Sequence, residues 1–125
     1  MEVVNIADVQ KTYAMVIGSV LVLVGILGFV PTIGKPLLLG IFGVNVAQNL
    51  LHLVGGGLMI WFAYSGSGKT ANMVLGIVSA VVAVLGFVPV AKDLLAAIFN
   101  INMSITYLHA AIAVVSLGLA YGVKE

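Results

Sequence analysis

His52 and His109 are the residues of this 125-residue chain whose chemistry and spacing are most worth following. Each stands seven residues after an asparagine, Asn45 or Asn102. Imidazole is the commonest metal ligand. Two imidazoles at one depth on facing helices could serve as the axial ligands of a haem or chlorin. Lys35 and Lys92 would then be the groups able to pair with its propionates. Against that use, the chain has no second histidine pair and no arginine for bidentate carboxylate binding. The plainer chemistry is hydrogen bonding: neutral rings held by Gln48, Asn49, Thr106 or a backbone carbonyl, keeping helices in register. A third use, transport or proton relay, suffers from the lack of a carboxylate partner.

Other chemistry is scarcer. Ala63-Tyr-Ser-Gly-Ser-Gly-Lys-Thr70 satisfies a relaxed phosphate-loop pattern. That chemistry needs a strand before the loop, a helix after it and a magnesium-binding acid elsewhere. Here the motif joins two apolar runs, and its Lys69-Thr70 repeats Lys11-Thr12, so it reads as a turn and no nucleotide is expected. The chain has no cysteine, which removes disulfides, thiolate metal sites and thiol nucleophiles together. No serine has a positioned base and acid, so no catalytic residue and no metal site is assigned. A net charge of +1 without a basic cluster argues against nucleic acid.

The elements that must position the histidines follow from composition. Hydrophobic residues make up 62% of the chain and charged residues 7%. A soluble domain carries about a quarter charged residues, so the solvent here is lipid. The charges lie outside four apolar runs, Tyr13–Val30, Val46–Tyr64, Ala71–Val88 and Ser104–Val123. At about 1.5 Å per residue these span roughly 27–30 Å, the thickness of a bilayer core. The first run exceeds a signal-peptide core and is kept as a span.

The chain also builds its central stretch twice. Lys11–Pro31 pairs with Lys69–Pro89 at an offset of 58, with 12 of 21 residues identical. Leu37–Tyr64 pairs with Leu94–Tyr121 at an offset of 57, with 9 of 28 identical. Each half reads as span, stop, short helix, cap and span. Pro31 and Pro89 stop the first helix of each half. Leu37–Phe42 and Leu94–Phe99 are too short to cross and are expected as interfacial helices. Pro36 suits the first turn of one, and Asp93 the positive N-terminal end of the other. Gly43 and Asn100 suit the left-handed position after each, and Asn45 and Asn102 suit N-caps. Met1–Thr12 reads as a short polar lead, with one or two amphipathic turns at the interface.

Two further patterns concern packing. Gly18, Val22 and Gly25, with their mates Gly76, Ala80 and Ala83, form stripes that let helices approach closely in lipid. A polar stripe runs through Asn45, Gln48, Asn49, His52, Gly55, Gly56 and Met59, and again through Asn102, Thr106, His109, Ala113, Ser116 and Ala120. Unpaired polar groups are costly in hydrocarbon, so these stripes should face the interior.

Gly28-Phe-Val-Pro31, Leu38-Leu-Gly-Ile-Phe42 and Gln48-Asn-Leu-Leu-His52 carry a resemblance, clearest over Leu27–Gly57. They resemble a family of small four-span bacterial membrane proteins known only as a domain of unknown function. Its signature is similar to Gly-Phe-Ile-Pro, then Leu-Gly-Leu-Phe, then His-Asn-x-x-His before a glycine-rich span. Gln48 stands where that family often has its first histidine, and Ile105-Thr106 replaces His-Asn in the second half. The resemblance implies a fold, and a bacterial or archaeal cytoplasmic membrane, but no activity.

The expected fold is all-α, a single integral membrane domain over residues 1–125. It is a four-helix transmembrane bundle made of a repeat at about 11–64 and another at about 69–121, related by a pseudo-twofold axis along the membrane normal. The expected function is that of a non-enzymatic accessory or assembly subunit without a cofactor, packing in the bilayer against itself or other membrane proteins. A haem- or chlorin-binding bundle using His52 and His109 is the alternative, and a small transporter or proton relay the second. Lys11, Lys69 and Lys124 against Lys35 and Lys92 tip the termini toward the cytoplasm. Reporter fusions at residues 2, 67 and 125 should all report the same side of the membrane. Disagreement at 67 would remove one span.

Overall fold

A computed structural model describes residues 6–30, 37–39 and 41–123. Among the described residues the chain forms five helices: α1 (Ile6–Leu27), α2 (Val46–Ser65), α3 (Gly68–Phe87), α4 (Pro89–Phe99) and α5 (Met103–Gly122). Four of them, α1, α2, α3 and α5, are long and apolar enough to cross a bilayer. α1 starts well before Tyr13, so the turns expected in the polar lead are continuous with the first span. The reason is Gln10, which is fully buried and therefore belongs to the packed face.

α1 packs chiefly on α2, and α3 chiefly on α5. Both hairpins close through small residues. A Cβ on Gly18 would lie 2.9 Å from the Gly56 carbonyl oxygen, and one on Gly56 2.5 Å from that of Gly18. The same contact recurs at the repeat offset: a Cβ on Gly28 would strike the Asn49 side chain, and one on Gly86 the Thr106 side chain. Bare backbone is what lets these helices touch where dispersion, not hydrophobicity, drives association.

The connections differ between halves. In the second, Val88 ends α3 and caps α4, with Pro89 in its first turn. Asn100 then closes α4 in the left-handed region, φ 55°, as its residue type allows. In the first half the expected helix over Leu37–Phe42 does not form. Leu38 and Phe42 pair as an isolated antiparallel bridge, with Leu38 N–H donating to Phe42 O at 2.7 Å and Phe42 N–H to Leu38 O at 3.1 Å. The sequences explain the difference. Leu39-Gly40 stands where the second half has Ala96-Ala97, and glycine costs about 1 kcal/mol against alanine in a helix. A six-residue segment with that defect cannot sustain a helix.

Two smaller corrections follow. The left-handed residue of the first half is Leu39, φ 53°, and not Gly43. Asp93 lies beyond the first turn of α4, whose start at Pro89 is earlier than expected. Pro31 and Pro36 lie outside the described residues.

Asn45 and Asn102 are N-caps, as their type suggests, and each does a second job. Asn45 Oδ1 accepts from Gln48 N–H at 2.9 Å while its Nδ2 donates to Ile98 O at 2.9 Å in the other half. Asn102 Oδ1 accepts from Ile105 N–H at 3.1 Å while its Nδ2 donates to Ile41 O at 3.0 Å. The two bonds between halves are counterparts at the offset of 57. Asn100 Nδ2 adds a bond to Val44 O at 2.9 Å.

Three consecutive glycines of α2 offer an internal comparison. Gly56 has no room for a side chain, whereas Cβ atoms on Gly55 and Gly57 would meet nothing within 4 Å. Gly56→Ala should destabilise the protein by about 1–3 kcal/mol, the cost of overpacking. Gly57→Ala should be neutral or stabilising by up to about 1 kcal/mol. Unfolding titrations in mixed micelles would measure both.

Candidate functional site

Polar side chains gather at the two ends of the bundle. At the end holding the α1 start, the α2–α3 turn and the α5 terminus, Gln10 Nε2 donates to Leu119 O at 2.9 Å and Val123 O at 2.7 Å. Asn72 Nδ2 donates to Gln10 O at 3.0 Å and Gln10 Oε1 at 2.8 Å. The Tyr13 hydroxyl bonds Ser116 Oγ at 2.7 Å. Lys11 Nζ lies 5.0 Å over the Tyr64 ring, and Gly68 packs against the Gln10–Lys11 backbone. The motif Ala63–Thr70 is a turn between two helices, with Ser67 Oγ capping α3 by accepting from Thr70 N–H at 3.1 Å. A helix, not a strand, precedes it.

At the other end Gln48 is the principal tie. Buried on α2, it spends both amide hydrogens on carbonyls, Gly43 O at 2.9 Å and Phe99 O at 2.8 Å. Lys92 stands exposed on α4 at this end, and Lys35 lies outside the described residues.

Between the ends the hairpins part. A cavity of about 570 Å³ is lined by every helix and by the 38–44 connection. Its walls pair at the repeat offsets: Ile17 with Leu75, Val24 with Val82, Leu38 with Leu95, Phe42 with Phe99, Leu51 with Leu108 and His52 with His109. Gln48 and Ser79 also line it, and among the described residues no acidic or lysine side chain does. Val20, Leu51, Val54, Val78 and Leu108 line it and are also exposed, so the chamber communicates with the outer surface of the bundle.

The structure therefore divides the polar stripe. Gln48, Asn49, Thr106 and Ser116 are buried, and Asn45 and Asn102 are half-buried caps. Thr106 Oγ1 donates to Asn102 O on its own helix at 3.3 Å. The histidines, each seventh in its helix, bond to no other helix. His109 Nδ1 pairs with Ile105 O at 2.9 Å, one turn back. His52 Nδ1 is buried without a partner, as is Asn49 Oδ1 beside Gly28. Axial ligation of a tetrapyrrole through Nε2 would place a proton on Nδ1 of both rings. Ligating imidazoles almost always donate that proton to a carbonyl or carboxylate. His109 has such an acceptor and His52 has none, so the pair fits one axial ligand better than two.

Gln10, Asn72 and Ser79 were not legible as interior groups from motif and run boundaries. The signal lay in spacing. Gln10 precedes Ala14, Gly18 and Gly25 at helical steps, and Asn72 precedes Gly76, Ser79 and Ala83 likewise.

A family model, Domain of unknown function (DUF4383), matches residues 11–122. No curated protein and no solved structure matches. With four helices long and apolar enough to span, the chain is an integral membrane protein in contact with lipid.

The division between ties and free rings has a measurable consequence. Gln48→Leu should destabilise by about 1–3 kcal/mol, because it strands buried carbonyls. His52→Leu and His109→Leu should each cost at most roughly 0.6 kcal/mol, the average for polar pairs in membranes. Unfolding in micelles reads all three. Histidine variants as costly as Gln48→Leu would return the rings to a register-holding role.

Proposed function

The chain belongs to the DUF4383 family, and we propose that this member is a non-enzymatic membrane protein whose bundle holds an apolar small molecule in its central chamber. One observation carries the reading: both histidines line one open cavity while neither bonds to another helix. Ligand sites are typically cavities of about 300–1,000 Å³, mostly apolar with a few placed polar groups. This chamber has that size and that lining.

The halves act as two arms related by a pseudo-twofold axis along the membrane normal. The reciprocal Asn45–Ile98 and Asn102–Ile41 bonds support this relation, as does the pairing of the chamber walls. Catalysis is not assigned, because Ser79 shares the wall without a hydrogen bond to either imidazole and no carboxylate lines the chamber among the described residues. An accessory role, packing against other copies or subunits, is compatible with the outer faces, but those faces do not account for the chamber.

Native mass spectrometry of the whole protein, extracted in mild detergent, tests the proposal. A defined apolar molecule should accompany the wild type, and Val82→Trp should expel it while leaving helical content unchanged. No bound molecule beyond loosely held phospholipid, or equal retention in Val82→Trp, would overturn the reading. A visible tetrapyrrole band in the wild type, lost in His109→Gln, would identify the occupant as haem or chlorin.

A further inference from the structure

The two imidazoles occupy equivalent positions but present opposite faces of hydrogen-bond chemistry. Ile105 O can only accept, so His109 Nδ1 carries the proton in the bond between them. A charged ring is costly at this depth, which keeps His109 neutral and leaves Nε2 as a bare acceptor. His52 lacks the corresponding bond to the carbonyl of Gln48, and its Nδ1 is buried without a partner. An orphaned buried N–H is rarer than an orphaned acceptor. The proton of His52 therefore sits on Nε2, which becomes a donor. Nδ1 of each ring is either bonded to its own helix or sealed, which leaves Nε2 as the nitrogen free for a ligand in the chamber that both rings line.

We propose that the chamber takes an uncharged, hydroxyl-bearing lipid whose O–H donates to His109 Nε2 and whose oxygen accepts from His52 Nε2–H. This inference rests on the reading of the chamber as a ligand site. A hydroxyl is donor and acceptor at one atom and so can satisfy both kinds of ring nitrogen. A ketone or ether has no proton for His109. An ionised headgroup would enter a wall whose described residues include no charged side chain to pair it. The aliphatic lining, with Phe42 and Phe99 toward one end, suits a hydrocarbon tail. The opening to the outer surface of the bundle lets such a molecule enter from the bilayer.

The test uses the whole protein in lipid nanodiscs with two probes, farnesol and farnesyl methyl ether, which differ only in the hydroxyl proton. Farnesol should bind roughly tenfold tighter, since the ether strands the His109 acceptor. His109→Phe should erase the preference while still binding the ether, and His52→Phe should weaken both probes alike and keep the preference. In case a variant fails to fold, ¹⁵N spectra of histidine-labelled wild type give a second readout. Without probe, the protonated nitrogen should be Nδ1 in His109 and Nε2 in His52. Equal affinity for the two probes, or the same tautomer in both rings, would overturn the hydroxyl inference and leave the chamber reading standing. Failure of both probes to bind would overturn the chamber reading and, with it, this inference.

Discussion

A polar group inside hydrocarbon has no water to turn to, and this one constraint arranges the molecule. Such groups gain by finding a partner within the protein or by leaving their helix at a bundle end, and only Gln48 Oε1, Asn49 Oδ1, His52 Nδ1 and Asn72 Oδ1 are buried without one among the described residues. Gln10, Asn72, Tyr13 and Ser116 find one another at one end. Gln48, Asn45, Asn100 and Asn102 bond carbonyls of the opposite connection at the other. The side-chain bonds between the two hairpins thus lie at their two extremities. Dispersion between bare glycine backbones closes each hairpin but does little to draw one hairpin to the other.

The chamber follows from that distribution. Two arms fastened at both ends, with bulky aliphatic residues facing between, leave a space that no side chain fills. In water such a void would favour collapse, because apolar walls gain by meeting. In a bilayer the walls are as well solvated by acyl chains, so a cavity open to lipid carries a smaller penalty. The bundle can keep a chamber at mid-depth for the same reason that it needs polar ties at its ends.

Much of this was legible in the chain. The four spans came from run length and charge placement, and the caps from asparagines at repeated positions. The fate of Leu37–Phe42 was not legible from hydrophobicity, because Leu39-Gly40 and Ala96-Ala97 are similarly apolar but differ in helix propensity. Gln10 was hidden by its neighbours Lys11 and Thr12, which made a packed turn of helix look like an interfacial one. The histidines were visible as a pair at one depth, but their roles were not. Sequence gives both the same spacing from a capping asparagine, and it is the placement of Ile105 O against one ring and the lack of a partner on the other that separates them.

The central claim is that His52 and His109 face a shared, occupied chamber instead of fastening helices together. A high-resolution density map of the protein reconstituted in native lipid extract tests this most directly. Elongated non-protein density between α2 and α5, touching both imidazoles, is the result this account requires. A closed chamber, with either imidazole hydrogen-bonded to the opposite hairpin, would contradict it.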